Sequence, residues 1–168
     1  MIDRDDGKPD PTEDATRAAR GPGSVLERDD SPERFRAGRR TGALGWTGLA
    51  VWAAVGLALE AAHGLKLAAY LDDPLTRLLL TLAHAHGALL SIVLVLFAAH
   101  GAPLVPREDG LTVRLLVGGW LGVPLGFALG AVAHPESDPG LGVWLVPPAA
   151  LAWTAGLVRV ARAAWRRR

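Results

Sequence analysis

Four long apolar segments constrain the fold of this 168-residue chain more strongly than any other feature of its sequence. They all follow residue 42, and short segments rich in proline, glycine and charged residues separate them. An apolar stretch of about 20 residues can cross the hydrocarbon core of a bilayer as a helix, which satisfies its own backbone hydrogen bonds. The sequence therefore predicts four transmembrane helices, at about residues 43–71, 74–100, 111–133 and 141–162.

The predicted fold class is all-α, an integral membrane four-helix bundle with a disordered N-terminal tail. The loops between the spans are short, so consecutive spans should be antiparallel neighbours. Asp73 followed by Pro74 is a helix start signal, because an aspartate caps the first turn and a proline fits the first helical position.

Residues 1–40 differ in composition from the rest of the chain. They contain ten acidic and nine basic residues, several prolines and few large apolar side chains. Such a segment cannot bury enough apolar surface to offset the entropy lost on ordering it. We expect a disordered cytoplasmic tail over residues 1–40 and a transmembrane domain over residues 41–168. A docking tail for a protein partner is the alternative.

Basic residues are distributed unequally between the two sides of the predicted bundle. One side carries only Lys66 and Arg77, whereas the other carries Arg34, Arg36, Arg39, Arg40, Arg107, Arg114, Arg159, Arg162, Arg166, Arg167 and Arg168. Basic residues are enriched on the cytoplasmic side of membrane proteins, so both termini should be cytoplasmic. The abundance of Ala, Arg, Gly and Leu favours a bacterial source, and hence a multi-pass protein of the bacterial inner membrane.

Four titratable side chains, Glu60, His63, His84 and His86, lie within the first two predicted spans. Such groups are costly at membrane depth, so they indicate a function or a specific partner. A tight turn near Asp72 would place Glu60 opposite residue 85. Two helical residues at i and i+2 point about 200° apart. One histidine should therefore pair with Glu60, and the other should face the third span, the fourth span or a neighbouring subunit.

Three chemical hypotheses follow from this group. The four side chains, with His134 as an additional candidate ligand, suit a transition metal such as Zn, Cu or Fe, because imidazole and carboxylate bind these ions. The fourteen-residue separation of His86 and His100 resembles the histidine spacing of membrane cytochromes b, which suggests a b-type haem. A proton or quinone site is the third hypothesis. The structural alternative is that these groups hydrogen-bond one another and only fix helix packing.

The third predicted span carries glycines at every fourth position: Gly118, Gly122, Gly126 and Gly130. Glycines at this spacing lie on one helix face and allow another helix to approach closely. We therefore predict a helix-packing role for all four.

The sequence does not decide whether the protein is an enzyme. It has no cysteine, so it contains no disulfide and no thiolate metal ligand. It also lacks a phosphate-binding glycine loop and a recognisable nucleophile motif, which disfavours a hydrolase or a kinase. The expected partners are the lipid bilayer and either a second copy of the chain or a membrane complex; no nucleic acid is expected.

Two segments of the first hairpin, 60–66 and the LAHAHG motif at 82–87, resemble a group of small bacterial membrane proteins with four spans. The segment 138–143 is similar to their last outer loop. This resemblance covers about residues 43–160 and implies no particular activity.

The spans and their polar residues together predict an inner-membrane protein with an outer-side His/Glu site for a transition metal or haem. Such a protein would act as a redox or respiratory-chain accessory protein. The alternative is a non-catalytic membrane subunit or assembly protein, whose buried His and Glu groups only fix helix packing.

Overall fold

A computed structural model describes residues 32–105, 110–132, 134–135 and 138–166, with side chains from Gly38 onward except that of Ala69. Over these residues the chain is helical and contains no strand. The long helices are α1 (Pro32–Gly64), α3 (Pro74–Leu96), α4 (Gly110–Gly130) and α5 (Val146–Trp165), and α2 (Ala68–Leu71) is a single short turn. A π-helical turn, Phe97–Gly101, and a 3-10 turn, Ala102–Leu104, extend α3, and the 3-10 turn Leu141–Leu145 leads into α5.

Four segments in the described part of the chain are long and apolar enough to cross a membrane. They are Gly38–Gly64, Pro74–Leu104, Gly110–Gly130 and Leu141–Trp165. The predicted all-α fold with four spans is therefore confirmed, and we treat the protein as a multi-pass membrane protein.

The first helix differs from the prediction at both ends. It begins at Pro32, within the segment predicted as a tail, where a proline in the first turn costs no hydrogen bond. The rest of the predicted tail, residues 1–31, lies outside the described residues. The helix ends at Gly64 instead of continuing to Leu71, and Lys66 then adopts a left-handed conformation with a φ of 52°. The connection to α3 is consequently longer than a tight turn.

The start signal of the second span is confirmed. The Asp73 side chain caps α3, since its Oδ1 accepts hydrogen bonds from the backbone N–H groups of Leu75 at 2.9 Å and Thr76 at 3.0 Å. Pro74 occupies the first helical turn, where its missing N–H would have had no partner in any case.

Each span packs mainly against its neighbours in sequence, α1 on α3, α3 on α4, and α4 on α5. The apolar core lies where α3, α4 and α5 meet, and includes Leu94 and Leu116, which are fully buried, and the two tryptophans Trp120 and Trp153. Only 11% of the most apolar window of the first span is buried inside the protein, compared with 39% for α4. The first span therefore presents most of its surface to its surroundings.

Helices α4 and α5 approach each other closely, and glycines of α4 make this approach possible. An added Cβ would lie 2.5 Å from Trp153 Cβ at Gly119, 2.6 Å from Ala149 Cβ at Gly122 and 2.7 Å from Val146 Cγ2 at Gly126. These glycines thus leave the space that α5 occupies.

Candidate functional site

His84 faces the first span. Its Nδ1 lies 2.7 Å from the backbone oxygen of Trp52, and its ring occupies the space that a Cβ at Gly56 would take. A carbonyl oxygen only accepts hydrogen bonds, so Nδ1 carries the proton and donates it. The other ring nitrogen, Nε2, therefore keeps its lone pair while the imidazole is neutral.

His86 faces the third span, on the other side of α3. Its Nδ1 lies 2.8 Å from the oxygen of Leu82, one turn earlier in the same helix, and its ring centre is 5.1 Å from that of Phe127 in α4. The expected separation of the two histidines onto different faces is confirmed. Their Nε2 atoms consequently do not converge on one point between the helices.

Glu60 does not pair with either histidine of α3. In the described part of the chain it makes no hydrogen bond or ion pair, and both it and His63 are exposed. The helix register explains the difference, because Gly56 packs on His84 and Gly48 on Ser91. Glu60 is then level with about residue 80, roughly one and a half helical turns from the position that a tight turn would give.

The described residues contain no group of three or more histidine, aspartate or glutamate side chains that could hold a metal ion. The four candidate ligands Glu60, His63, His84 and His86 are therefore not gathered into one chelating set within this chain. His100 is exposed in the π-helical turn at the far end of α3, away from the other candidate ligands. No second described histidine lies at that end to complete a haem site with it.

A polar cluster among the described residues joins the start of α3 to the segment after α4, and it contains Asp73, Thr76 and His134. His134 Nε2 lies 3.0 Å from Asp73 Oδ2 and 2.8 Å from Thr76 Oγ1, and the same Thr76 oxygen is 2.9 Å from Asp73 Oδ2. The His134 side chain is only 7% exposed. We call these three residues the cap cluster, because they extend the helix cap of α3 across to the segment after α4.

Both ring nitrogens of His134 have hydrogen-bonding neighbours. His134 Nδ1 lies 2.8 Å from the oxygen of Pro135, so it must donate. Nε2 faces both the Asp73 carboxylate and the Thr76 hydroxyl. The cap cluster is thus a histidine–carboxylate pair in which Thr76 contacts both groups.

The electrostatics of Asp73 agree with this arrangement. The backbone N–H of Thr76 holds the pKa of the Asp73 carboxyl below its usual value, with further contributions from the Thr76 hydroxyl, the Leu75 N–H and His134. Partial burial opposes this shift. The carboxylate is therefore ionised at neutral pH and available to accept all of these bonds.

A threonine, a histidine and an aspartate also suggest a catalytic triad, but the bonding order is wrong for one. In a triad the carboxylate orients the imidazole through one ring nitrogen while the nucleophile uses the other. Here Asp73 and Thr76 share Nε2, and Nδ1 is bonded to Pro135. The hydroxyl consequently has no imidazole free to act as its base.

A second polar node joins three spans in the interior. The Trp120 Nε1–H of α4 donates to Ser91 Oγ at 2.8 Å, and the Ser91 hydroxyl donates to the oxygen of Gly87 at 2.6 Å. Gly48 of α1 provides the space, since a Cβ there would lie 2.5 Å from both Ser91 Oγ and Trp120 Cζ2. We call Gly48, Ser91 and Trp120 the three-span node.

Sequence reasoning misses both of these clusters. Ser91 is a lone serine inside an apolar run, and Trp120 is one of six tryptophans, so only their near-equal depth in an antiparallel pair could have suggested contact. His134, predicted as an additional metal ligand, contacts the residues that cap α3 in the structure.

The predicted packing glycines fall into two groups. Gly122, Gly126 and Gly130 face the last span, and an added Cβ at Gly130 would lie 3.4 Å from Val143 Cβ. An added Cβ at Gly118 would meet nothing within 4 Å, and Gly119 takes the corresponding position against Trp153. Because the helix has 3.6 residues per turn, residues spaced by four rotate gradually around the helix axis. Over the length of the span, the residue that faces α5 therefore changes from Gly118 to Gly119.

Comparisons of this chain with protein-family models, with curated proteins and with solved structures find no match.

Proposed function

We propose that this protein is a non-catalytic membrane subunit or assembly protein, in which the polar side chains within the spans fix the register of the helices. The observation that carries this proposal is the bonding of His84 across to the backbone of the first span, at 2.7 Å from Trp52 O. The cap cluster and the three-span node support it in the same way, because each joins one helix to another. Such interhelical hydrogen bonds stabilise helix pairs in membranes by about 1 kcal/mol each.

The metal or haem function is the competing prediction, and it requires that the purified protein contain a bound metal ion or haem. Purified protein in mild detergent is examined for a visible absorption spectrum and for bound Zn, Cu and Fe. If the histidines serve in helix packing, we expect the purified protein to show no Soret band and no stoichiometric metal. We also expect the substitution His84→Leu to lower the melting temperature. A stoichiometric metal or haem that is lost in H84L or in His86→Leu would overturn the proposal.

We also infer that the protein lies in the bacterial inner membrane with both termini in the cytoplasm. The unequal distribution of arginine supports this orientation. The chain has no native cysteine, so single-cysteine variants report topology cleanly. Asp138→Cys should react with a membrane-impermeant thiol reagent in intact spheroplasts, whereas Arg166→Cys should react only after lysis. The reverse pattern would overturn the orientation.

A further inference from the structure

The exposed side of α1 carries a regular stripe of mostly small residues. Its members recur at alternating intervals of four and three residues along the span, and all of them are exposed. This spacing averages 3.5 residues, the period at which one face of a helix stays in contact with a second helix along a left-handed pair. We call these residues the heptad stripe, and they are Ala43, Thr47, Ala50, Ala54, Leu57 and Ala61.

The opposite side of α1 is already occupied by α3. An added Cβ would lie 2.7 Å from Val95 Cγ2 at Gly45 and 2.5 Å from Ser91 Oγ at Gly48, so small residues permit the close approach on that side. At 100° per residue these two glycines point about 170° away from the middle of the heptad stripe. Helix α1 therefore has two narrow faces, and no described residue of the chain covers the second.

The exposed faces of the neighbouring spans have a different composition. Large side chains make extensive contacts with flexible acyl chains, whereas a row of alanines offers lipid little surface and lets another helix approach closely. The heptad stripe thus has the composition of a helix–helix interface. The exposed residues that contrast with it are Leu89, Ile92 and Leu96 on α3 and Leu121, Leu125 and Leu129 on α4.

Thr47 indicates what covers the heptad stripe. Its side chain is exposed and makes no hydrogen bond in the described part of the chain. The span begins at Gly38, which places Thr47 roughly 14 Å along it, at a depth where water is scarce. A hydroxyl both donates and accepts, so the same residue of a second copy satisfies it across a two-fold axis.

We propose that two copies of this chain pair through the heptad stripe of α1, with their Thr47 hydroxyls hydrogen-bonded to each other. Copies inserted with the same topology have parallel first spans, and in a parallel pair equivalent positions of the repeat face each other. The inference goes beyond the proposed subunit function, because it stands on the exposed face of α1 and not on the bonding of His84. A monomeric protein would overturn it and leave the packing role of His84 untouched.

The first test maps the interface with single cysteines, which the cysteine-free native sequence permits. Ala50→Cys and Ala54→Cys lie on the heptad stripe, and Leu121→Cys, at a side chain 45% exposed on α4, is the control. The depths of Ala50 and Leu121 are similar, because both Gly48 and Trp120 approach Ser91. Each full-length variant is oxidised in its native membrane, and disulfide-linked products are measured by gel electrophoresis.

We expect A50C and A54C to form products of twice the chain mass, and L121C to form far fewer. Cross-linking of L121C as extensive as that of A50C would overturn the proposal. It would also be overturned if neither stripe variant cross-linked. A product joined to a polypeptide of another mass would do the same, since a different protein would then cover the stripe.

The second test measures association without a covalent bond. Fluorescently labelled full chain is reconstituted in phospholipid vesicles, and the dimer fraction is followed by energy transfer as the protein-to-lipid ratio falls. Ala54→Leu should weaken dimerisation by on the order of tenfold, because leucine holds the two backbones apart. Ala85→Leu, at an exposed alanine of α3, is the control and should dimerise like the wild type.

Thr47→Val tests the hydrogen bond itself, because it keeps the shape of the side chain and removes the hydroxyl. We expect it to weaken dimerisation by roughly fivefold, the effect of one interhelical hydrogen bond. Wild-type protein that stays monomeric at every protein-to-lipid ratio would overturn the proposal, as would equal effects of A54L and A85L. Dimerisation unchanged in T47V would remove Thr47 from the interface and with it the argument for a second copy.

Discussion

The position of the His84 side chain depends on Gly56 in the facing helix. The imidazole occupies the volume of the missing glycine side chain, and from there its Nδ1 reaches the Trp52 oxygen at 2.7 Å. The hydrogen bond satisfies a polar group that would otherwise be costly at membrane depth. The glycine is thus as necessary to this contact as the histidine.

The substitution Gly56→Ala should therefore destabilise the protein. A Cβ at this position collides with the His84 ring, which must move and lose its bond to Trp52. The expected loss in the free energy of unfolding is about 1–3 kcal/mol, measured by denaturant titration in micelles. Gly64→Ala is the control, because a Cβ at Gly64 meets nothing within 4 Å. Equal effects of the two substitutions would contradict this account.

The cap cluster should make stability depend on pH. The pKa of Asp73 is lowered in the folded protein, so its ionised form stabilises the fold above the ordinary aspartate value near pH 4. That contribution is lost as the pH falls through the lower pKa of the folded state. Asp73→Asn keeps a capping side chain but not the charge, so it isolates this effect from the other carboxylates.

We expect the wild-type protein to melt at a higher temperature than D73N at about pH 6, above the ordinary aspartate pKa. The difference between the two should shrink progressively below about pH 4. A difference that stays constant down to the most acidic pH tolerated by the protein would show that the charge of Asp73 contributes nothing.

Helix α4 packs against α5 through a face that is lined by glycines. Gly119, Gly122 and Gly126 let α5 approach until its side chains touch the α4 backbone, and this close packing gains dispersion contacts that lipid would otherwise make. Pro124 lies within the same helix and is buried, and the helix continues past it to Gly130.

Two glycines of α4 provide a matched test of this packing. Gly122→Ala places a Cβ 2.6 Å from Ala149 Cβ, which cannot move without shifting α5. We expect a loss of about 1–3 kcal/mol in the free energy of unfolding. Gly118→Ala projects into open space and should be neutral or slightly stabilising, since alanine favours helix by up to about 1 kcal/mol over glycine. A large loss in G118A would contradict the assignment of the packing face.

The features that sequence predicts correctly are those encoded locally. The four spans follow from runs of apolar residues, and the start of α3 follows from Asp73 and Pro74. The opposite orientations of His84 and His86 follow from helical periodicity alone. None of these predictions requires knowledge of how one helix meets another.

The errors arise where separate helices meet. The depth of Glu60 relative to α3 depends on where α1 ends, and the left-handed Lys66 and the short α2 lengthen that connection. Likewise, the contact of His134 with Thr76 joins residues far apart in sequence, and no local signal marks it. Small differences in a connecting segment thus change the partners of the most distinctive polar side chains.

The three-span node ties the first span to a helix other than its immediate neighbour in sequence. Trp120 of α4 bonds to Ser91 of α3 and lies against Gly48 of α1. The packing of α1 on α3 positions the first span, and this node adds a contact with α4.

Trp120→Phe should weaken the node while keeping a large apolar side chain. It removes the indole N–H that donates to Ser91 Oγ, at an expected cost of about 1 kcal/mol in the free energy of unfolding. Trp46→Phe is the control, because the Trp46 side chain is 65% exposed. Thermal unfolding in one detergent compares the two variants directly. A larger loss in W46F than in W120F would argue against the node.

The packing of each span against its sequence neighbours has a consequence for biosynthesis. A span that leaves the translocon finds a packing partner already in the bilayer, α3 beside α1, then α4 beside α3, and finally α5 beside α4. No helix has to wait for a distant segment or exchange an earlier partner for a later one, which keeps the search for the native arrangement short. We expect the order of synthesis to be the order of assembly.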